Sequence, residues 1–260
     1  MRKMRGLLAL LMAFFAFTAC GDANSSEGNN GLNKESKEEP EEYIASTGRV
    51  LDLAKPSVAI TFDDGPNMTN SVLVLDALEQ RGIVATYFVI AQNINDETVE
   101  VMRRGYSLGC EYAPHSWDWG FAATKGPETY RKEIIGTSQK IIDTLGEGAR
   151  SAFFRFHGDS NAKNIEVAAG LGYPFIEGIW AQDWLEDSTP ESIYKLIVSN
   201  VEDGIIIGLH DGSGNNATAE AIGDILDALI EQGYQFLTLT ELFEMRNVPI
   251  EPGVFYQKVN

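Results

Sequence analysis

Val58-Ala59-Ile60-Thr61-Phe62 runs directly into Asp63-Asp64-Gly65-Pro66. A short apolar run stopped by a Gly-Pro pair reads as a buried strand and its end. The arrangement recurs along the chain. Phe153-Phe154-Arg155-Phe156 ends in His157, and Ile205-Ile206-Ile207-Gly208-Leu209 ends in His210-Asp211; His115 and Asp183 also follow strand candidates. In folds built on parallel strands, ligands and chemistry collect beyond the carboxyl ends of those strands. All three histidines of the 260-residue chain therefore point to one site.

Strand-like runs are predicted at 58–62, 86–90, 107–111, 152–156, 174–179, 205–209 and 236–239, with helical patterns between them. Val72, Leu75 and Leu78 recur on one helical face and Gly82 supplies a stop. Pro127 opens a helix carrying Ile134, Ile135, Ile141 and Ile142. Similar patterns cover 161–171 and 189–201, and a last helix runs from Ala217 to Gln232 before Gly233. Repeated β/α units in one domain predict an α/β barrel, irregular or incompletely closed. A doubly wound open sheet is the competing architecture, and periodicity alone does not separate the two.

The ends and the composition bound the rest. Arg2, Lys3 and Arg5 precede an apolar stretch from Leu7 to Phe17, too short to span a bilayer and typical of a secretory signal. Phe17-Thr18-Ala19-Cys20 resembles a bacterial lipobox, which implies removal of 1–19, lipidation of Cys20 and anchorage outside the cytoplasmic membrane. Residues 20–47 are poor in apolar side chains and read as a tether; 48–260 then form one domain. Cys110 would be the only other cysteine, a buried small hydrophobe with no disulfide partner. The formal charge of −18 argues against nucleic acid, and against an anionic membrane surface other than through the lipid anchor. A monomer is expected. No Gly-x-Gly-x-x-Gly follows the first strand, no phosphate loop is present, and no Gly-x-Ser-x-Gly elbow appears.

Taken alone, Asp63-Asp64-Gly65-Pro66 suits a plain turn. In its context, Thr61-Phe62-Asp63-Asp64-Gly65-Pro66 closely resembles the first signature of the NodB-like polysaccharide deacetylases, carbohydrate esterase family four. Gly109-Cys110-Glu111-Tyr112-Ala113-Pro114-His115-Ser116-Trp117-Asp118-Trp119 aligns with the second. Arg155-Phe156-His157-Gly158, Asp183-Trp184 and Leu209-His210-Asp211 meet the third, fourth and fifth in order. The resemblance covers about residues 55–245. It implies the irregular (β/α)7-8 barrel of the NodB type and removal of acetyl groups from an N-acetylated polysaccharide such as peptidoglycan or a chitin-like glycan.

Carried over, the resemblance makes Asp64 and His115 ligands of a divalent metal, zinc by expectation, and Asp63 the base. Arg155 and Asp183 would hold and tune Asp63, and His210 would protonate the departing amine. Trp184 and Leu209 would line the acetyl pocket, and the backbone at Phe156, just after Arg155, would help stabilise the oxyanion. Two places depart: Phe156 and His157 stand where the third signature usually has prolines, and Trp119 stands where the family has its second metal histidine, although an indole has no lone pair for a metal. Asp118 or His157 is left as the substitute. Trp117, Trp119 and Trp180 could stack on sugar rings or simply pack. A glycan-binding remnant without turnover, and an esterase acting on O-acetyl groups of xylan or wall polymer, stand as alternative readings.

Overall fold

The computed structural model describes residues 41–260. The readings at 1–19, at Cys20 and along most of the tether lie outside these residues. The tether boundary itself moves: β1 (Glu42–Ile44) and β2 (Val50–Asp52) form an antiparallel hairpin whose Ala45 and Leu51 are buried, so packed structure begins before residue 48.

The chain then alternates. β3 (Ser57–Asp63), α1 (Asn70–Arg81), β4 (Thr86–Ile90), α2 (Val99–Ser107), β5 (Glu111–Ser116) and α3 (Pro127–Leu145) are followed by α4 (Ala162–Gly170), β6 (Phe175–Ile176) and β7 (Ile179–Trp180). α5 (Pro190–Asn200), β8 (Ile206–His210), α6 (Asn216–Glu231), β9 (Gln235–Phe236), α7 (Leu239–Met245) and β10 (Phe255–Tyr256) complete it. The main sheet is wholly parallel in the order β5-β4-β3-β8-β7, with β9 beside the start of β3. Helices α1 and α6 match their predicted spans closely and stop at Gly82 and the Gln232-Gly233 pair, both glycines with positive φ.

Four predicted strands differ, and the one expected at 174–179 splits into β6, beside β10, and β7, beside β8. Residues 99–107 are helical, and the strand lies later, at 111–116. Pro114 is accommodated because β5 is an edge strand, and the ladder with β4 shifts register just after it, from Val89 opposite Pro114 to Ile90 opposite Ser116. Residues 153–156 run extended between β5 and β6 but make only single long bonds, Arg155 N–H to Pro114 O and Ile176 N–H to Phe154 O, each 3.4 Å. The ladder is therefore not closed among the described residues, and the barrel is irregular at this point. Leu239 opens a helix instead of ending a strand, because Thr238 and Glu241 form a capping box.

Strand alternation organises the core. On β3, Val58, Ile60 and Phe62 pack outward with Leu75, Leu78, Ile222 and Ile225 of the surrounding helices. Ala59 faces the other way, into a cluster with Phe88, Ala113, Phe153 and Ile206. Period two then places Thr61 and Asp63 on that inner face, with His115 two residues past Ala113 and His210 four past Ile206. The inner face is apolar at depth and ionisable at its carboxyl end.

Candidate active site

Asp63 and Asp64 would point to opposite faces of a regular strand. They do not here because Asp64 adopts a left-handed conformation, φ 78°, which turns both carboxylates into the same cavity. The turn is anchored from three sides. Asp64 N–H donates to Phe88 O at 3.1 Å, Asn93 Nδ2 donates to Asp64 O at 2.7 Å, and Asp211 N–H donates to Asp63 O at 3.0 Å. Gly65 is required by space, since a Cβ there would lie 2.6 Å from Asp211 Oδ2.

Arg155 is buried beneath the cavity. Its Nη1 donates to Asp63 Oδ1 at 2.7 Å and to Thr61 Oγ1 at 2.8 Å, its Nε donates to Ile176 O, and its plane lies between the rings of Phe88 and Trp180. A buried charge with this many partners holds its carboxylate in one place. Asp63 Oδ2 is left facing the cavity, 3.8 Å from His115 Nε2.

His115 Nδ1 lies 3.0 Å from Arg155 O. A carbonyl there fixes the proton on Nδ1 and leaves the Nε2 lone pair free. That Nε2 stands 3.5 Å from Asp64 Oδ1. His157 repeats the arrangement: Nδ1 lies 3.4 Å from Gly120 O and Nε2 3.8 Å from the same Asp64 oxygen. Asp64 Oδ1 is buried and has no hydrogen-bond partner among the described residues. Three donors converging on one orphaned oxygen's neighbourhood, all within 4.8 Å of one another, suit a divalent cation. Burial pushes the Asp64 carboxyl up, but the imidazoles of His115, His210 and His157 outweigh it and hold it below its usual range. Burial and the neighbouring His115 push His157 down, which favours the neutral, metal-binding form.

Asp118, the other substitute, is turned away. Its Oδ1 accepts from Lys125 Nζ at 2.7 Å and from Gly120 N–H at 2.8 Å. Trp119 points to solvent, 48% exposed, with its ring edge-on to His157.

Across the cavity, His210 Nδ1 lies 2.8 Å from Asp183 Oδ1, and His210 N–H donates to Asp183 Oδ2 at 2.7 Å. Thr218 Oγ1 also donates to Asp183 Oδ2. Burial opposes the charge on His210, yet the Asp183 hydrogen bond and the charges of Asp63 and Asp64 prevail and raise it to about 9. The expected partnership of Asp183 with Asp63 is thus corrected: Asp183 holds His210, because its loop lies beyond β7 and beside β8, while Arg155 alone holds Asp63.

Leu209 is corrected as well. It is fully buried in the outer core with Phe62 and Ile207, since strand alternation sends it away from His210. The cavity, about 650 Å³, is instead walled by Phe121, Phe156, Trp180 and Trp184. Trp180 stacks on His210 and Trp184 meets it edge-on. Phe156 lies against Phe175, Phe154 and Tyr130, and its N–H finds no acceptor among the described residues. Trp117 packs on α3 against Gly136 under Lys140, clear of the cavity. Phe121, Thr218, Asn93 and Glu177, which accepts from Trp180 Nε1, carry no signal in the sequence that marks them for the site.

Residues 51–176 match the family model described as polysaccharide deacetylase. The peptidoglycan-N-acetylglucosamine deacetylase of Bacillus cereus is 30% identical over 197 residues, which span 73% of this chain and 89% of that protein. This chain belongs to the polysaccharide deacetylase family. It is also 36% identical over 200 residues to a bifunctional xylanase/deacetylase of Pseudobutyrivibrio xylanivorans, covering 77% of this chain and only about a third (32%) of that protein. Among solved structures, a family 4 acetyl xylan esterase from Clostridium thermocellum, in complex with a cobalt ion, superposes with a TM-score of 0.72 at 35% identity over 78% of this chain and 98% of that one. The irregular NodB-type fold is thereby established for this chain, and among the described residues its sheet is left open at 153–156 and between β6 and β7.

Proposed function

We propose that the protein is a metal-dependent hydrolase that removes acetyl groups from a polysaccharide. The observation that carries this reading is the convergence of Asp63, Asp64, His115, His157 and His210 on one cavity walled by aromatic rings. Asp64, His115 and His157 would hold a divalent metal, zinc by ligand chemistry, whose Lewis acidity would polarise the acetyl carbonyl. Asp63, fixed through one oxygen by Arg155, presents the other to accept a proton from the attacking water. His210 carries its proton at neutral pH and is oriented by Asp183, so its Nε2 can donate to the leaving group. The free N–H of Phe156 supplies a donor where negative charge develops on the acetyl oxygen. Trp184 and Phe156 shape the acetyl end of the cavity, and exposed Trp119 and Phe121 offer faces for sugar rings.

Two substrate chemistries use this machinery equally. N-acetylated glycan, peptidoglycan or chitin-like, follows from the signatures and from relatives that act on peptidoglycan. O-acetylated xylan is favoured by the similarity to the xylanase/deacetylase and to the acetyl xylan esterase, at 36% and 35% identity. Location at the cell surface through lipidated Cys20 rests on Arg2, Lys3, Arg5, the apolar run and the small residues before that cysteine.

The test is acetate release by zinc-loaded protein from acetylated xylan and from N-acetylglucosamine oligomers, with Asp63→Asn as control. Release from either polymer that falls at least a thousandfold in the variant supports the hydrolase and chooses the substrate. Glycan binding without release from either would favour a remnant that has kept the groove and lost turnover.

A further inference from the structure

Asp118 and Trp119 occupy the stretch that would have completed the metal site, and neither reaches it. Lys125 explains where that stretch goes. Its ammonium is nearly buried and meets three oxygens: Asp118 Oδ1 at 2.7 Å, Ser116 Oγ at 3.3 Å, and a Glu133 carboxylate oxygen on α3. Asp118 Oδ1 in turn accepts from Gly120 N–H at 2.8 Å, so one oxygen binds both Lys125 and the backbone of Gly120. Gly120 is confined in the same place, since a Cβ would lie 2.9 Å from Lys125 Cε and 3.0 Å from Asp118 Oδ1. The carbonyl of this residue is the one that faces His157 Nδ1 at 3.4 Å. The loop is tied to the His157 segment again by Ala122 N–H to His157 O, 2.9 Å, and Ala123 N–H to Asp159 O, 2.7 Å.

We propose that Lys125 is a positioning residue for His157, acting through Asp118 and the Gly120 carbonyl to keep Nε2 aimed at Asp64. The Asp118 carboxylate then serves the metal site from one shell out, by fixing the orientation of the imidazole in place of binding the ion. Outer partners of this kind orient a ligating imidazole and fix its tautomer, and their loss typically weakens metal binding about 10–100-fold. The proposal rests on the reading of His157 as a metal ligand, and its test separates the two.

The experiment is a double-mutant cycle on the full chain with zinc ion alone, read by calorimetry. The parent, Lys125→Met, His157→Ala and the double variant are compared, with thermal unfolding of each in the absence of metal. Lys125→Met should weaken zinc binding about tenfold or more in the parent and less than about twofold in the His157→Ala background. A general loosening of the fold would weaken both equally, and that result would overturn the positioning role. Equal zinc affinity for Lys125→Met and the parent would overturn it as well. If Lys125→Met does not fold, Asp118→Asn replaces it, with the same direction, a smaller loss and the same dependence on His157. An unchanged affinity in His157→Ala would overturn the ligand reading itself, and the positioning role with it.

Discussion

His157 Nε2 stands 3.8 Å from Asp64 Oδ1, an oxygen that no other group among the described residues satisfies by a hydrogen bond. The histidine therefore arrives from the segment after 153–156, not from the stretch after β5 where Trp119 sits. A lone pair is available from the neighbouring strand position, while the Trp119 indole faces solvent. Zinc affinity should fall at least about a hundredfold in His157→Ala and by less, about tenfold, in Asp118→Ala, since Asp118 orients the site without touching it.

The Asp183–His210 pair sets the alkaline side of the pH profile. His210 is raised to about 9 in the metal-free protein, and a bound cation would offset the share due to Asp63 and Asp64. The alkaline fall in kcat/KM should therefore lie at a pH below that value, where the proton donor is lost. Asp183→Asn should move this limb further down, toward the ordinary histidine range. Stability follows the same sign. A folded-state value above the unfolded one contributes fully below about pH 6.5 and is lost as pH rises through about 9. Asp183→Asn should thus cost more stability near pH 6 than near pH 10, by an amount on the order of 2–3 kcal/mol, measured by urea unfolding at both values.

Leu209 belongs to the core. Leu209→Ala should lower stability by about 2–5 kcal/mol, as deletion of a fully buried leucine does. Chemical denaturation checks this. A change confined to KM for acetylated substrate, with stability intact, would return Leu209 to the acetyl pocket.

Trp119 and Phe121 stand 48% and 57% exposed beside His157. If they receive sugar rings, alanine at either position should raise KM for a polymeric substrate about 2- to 10-fold, the worth of one aromatic contact. Turnover of a small acetyl ester such as 4-nitrophenyl acetate should stay within about twofold. Equal losses on both substrates would place the residues in support of His157 instead.

Much of the site was legible because strand ends are legible. Asp63, Asp64, His115, His157 and His210 all follow short apolar runs, and parallel topology gathers such ends in one place. What sequence did not carry was direction. Leu209 and His210 are adjacent, so a resemblance placed both at the pocket, while counting by two from His210 puts Leu209 on the far face. Asp183 was assigned to Asp63 because no linear pattern tells which of two ionised neighbours a loop carboxylate will meet. The strand expected at 107–111 lies at 111–116, where Pro114 fits because β5 is an edge strand. The hairpin at 42–52 was too short and too polar to stand out from the preceding tether.

The most direct test of the metal site is anomalous diffraction at the zinc edge from crystals of the protein grown with zinc. One ion bound by Asp64 Oδ1 and by Nε2 of both His115 and His157, each at about 2.0–2.2 Å, is the expected result. An ion held by Asp64 and His115 with His157 turned away, or with Asp118 in its place, would contradict it.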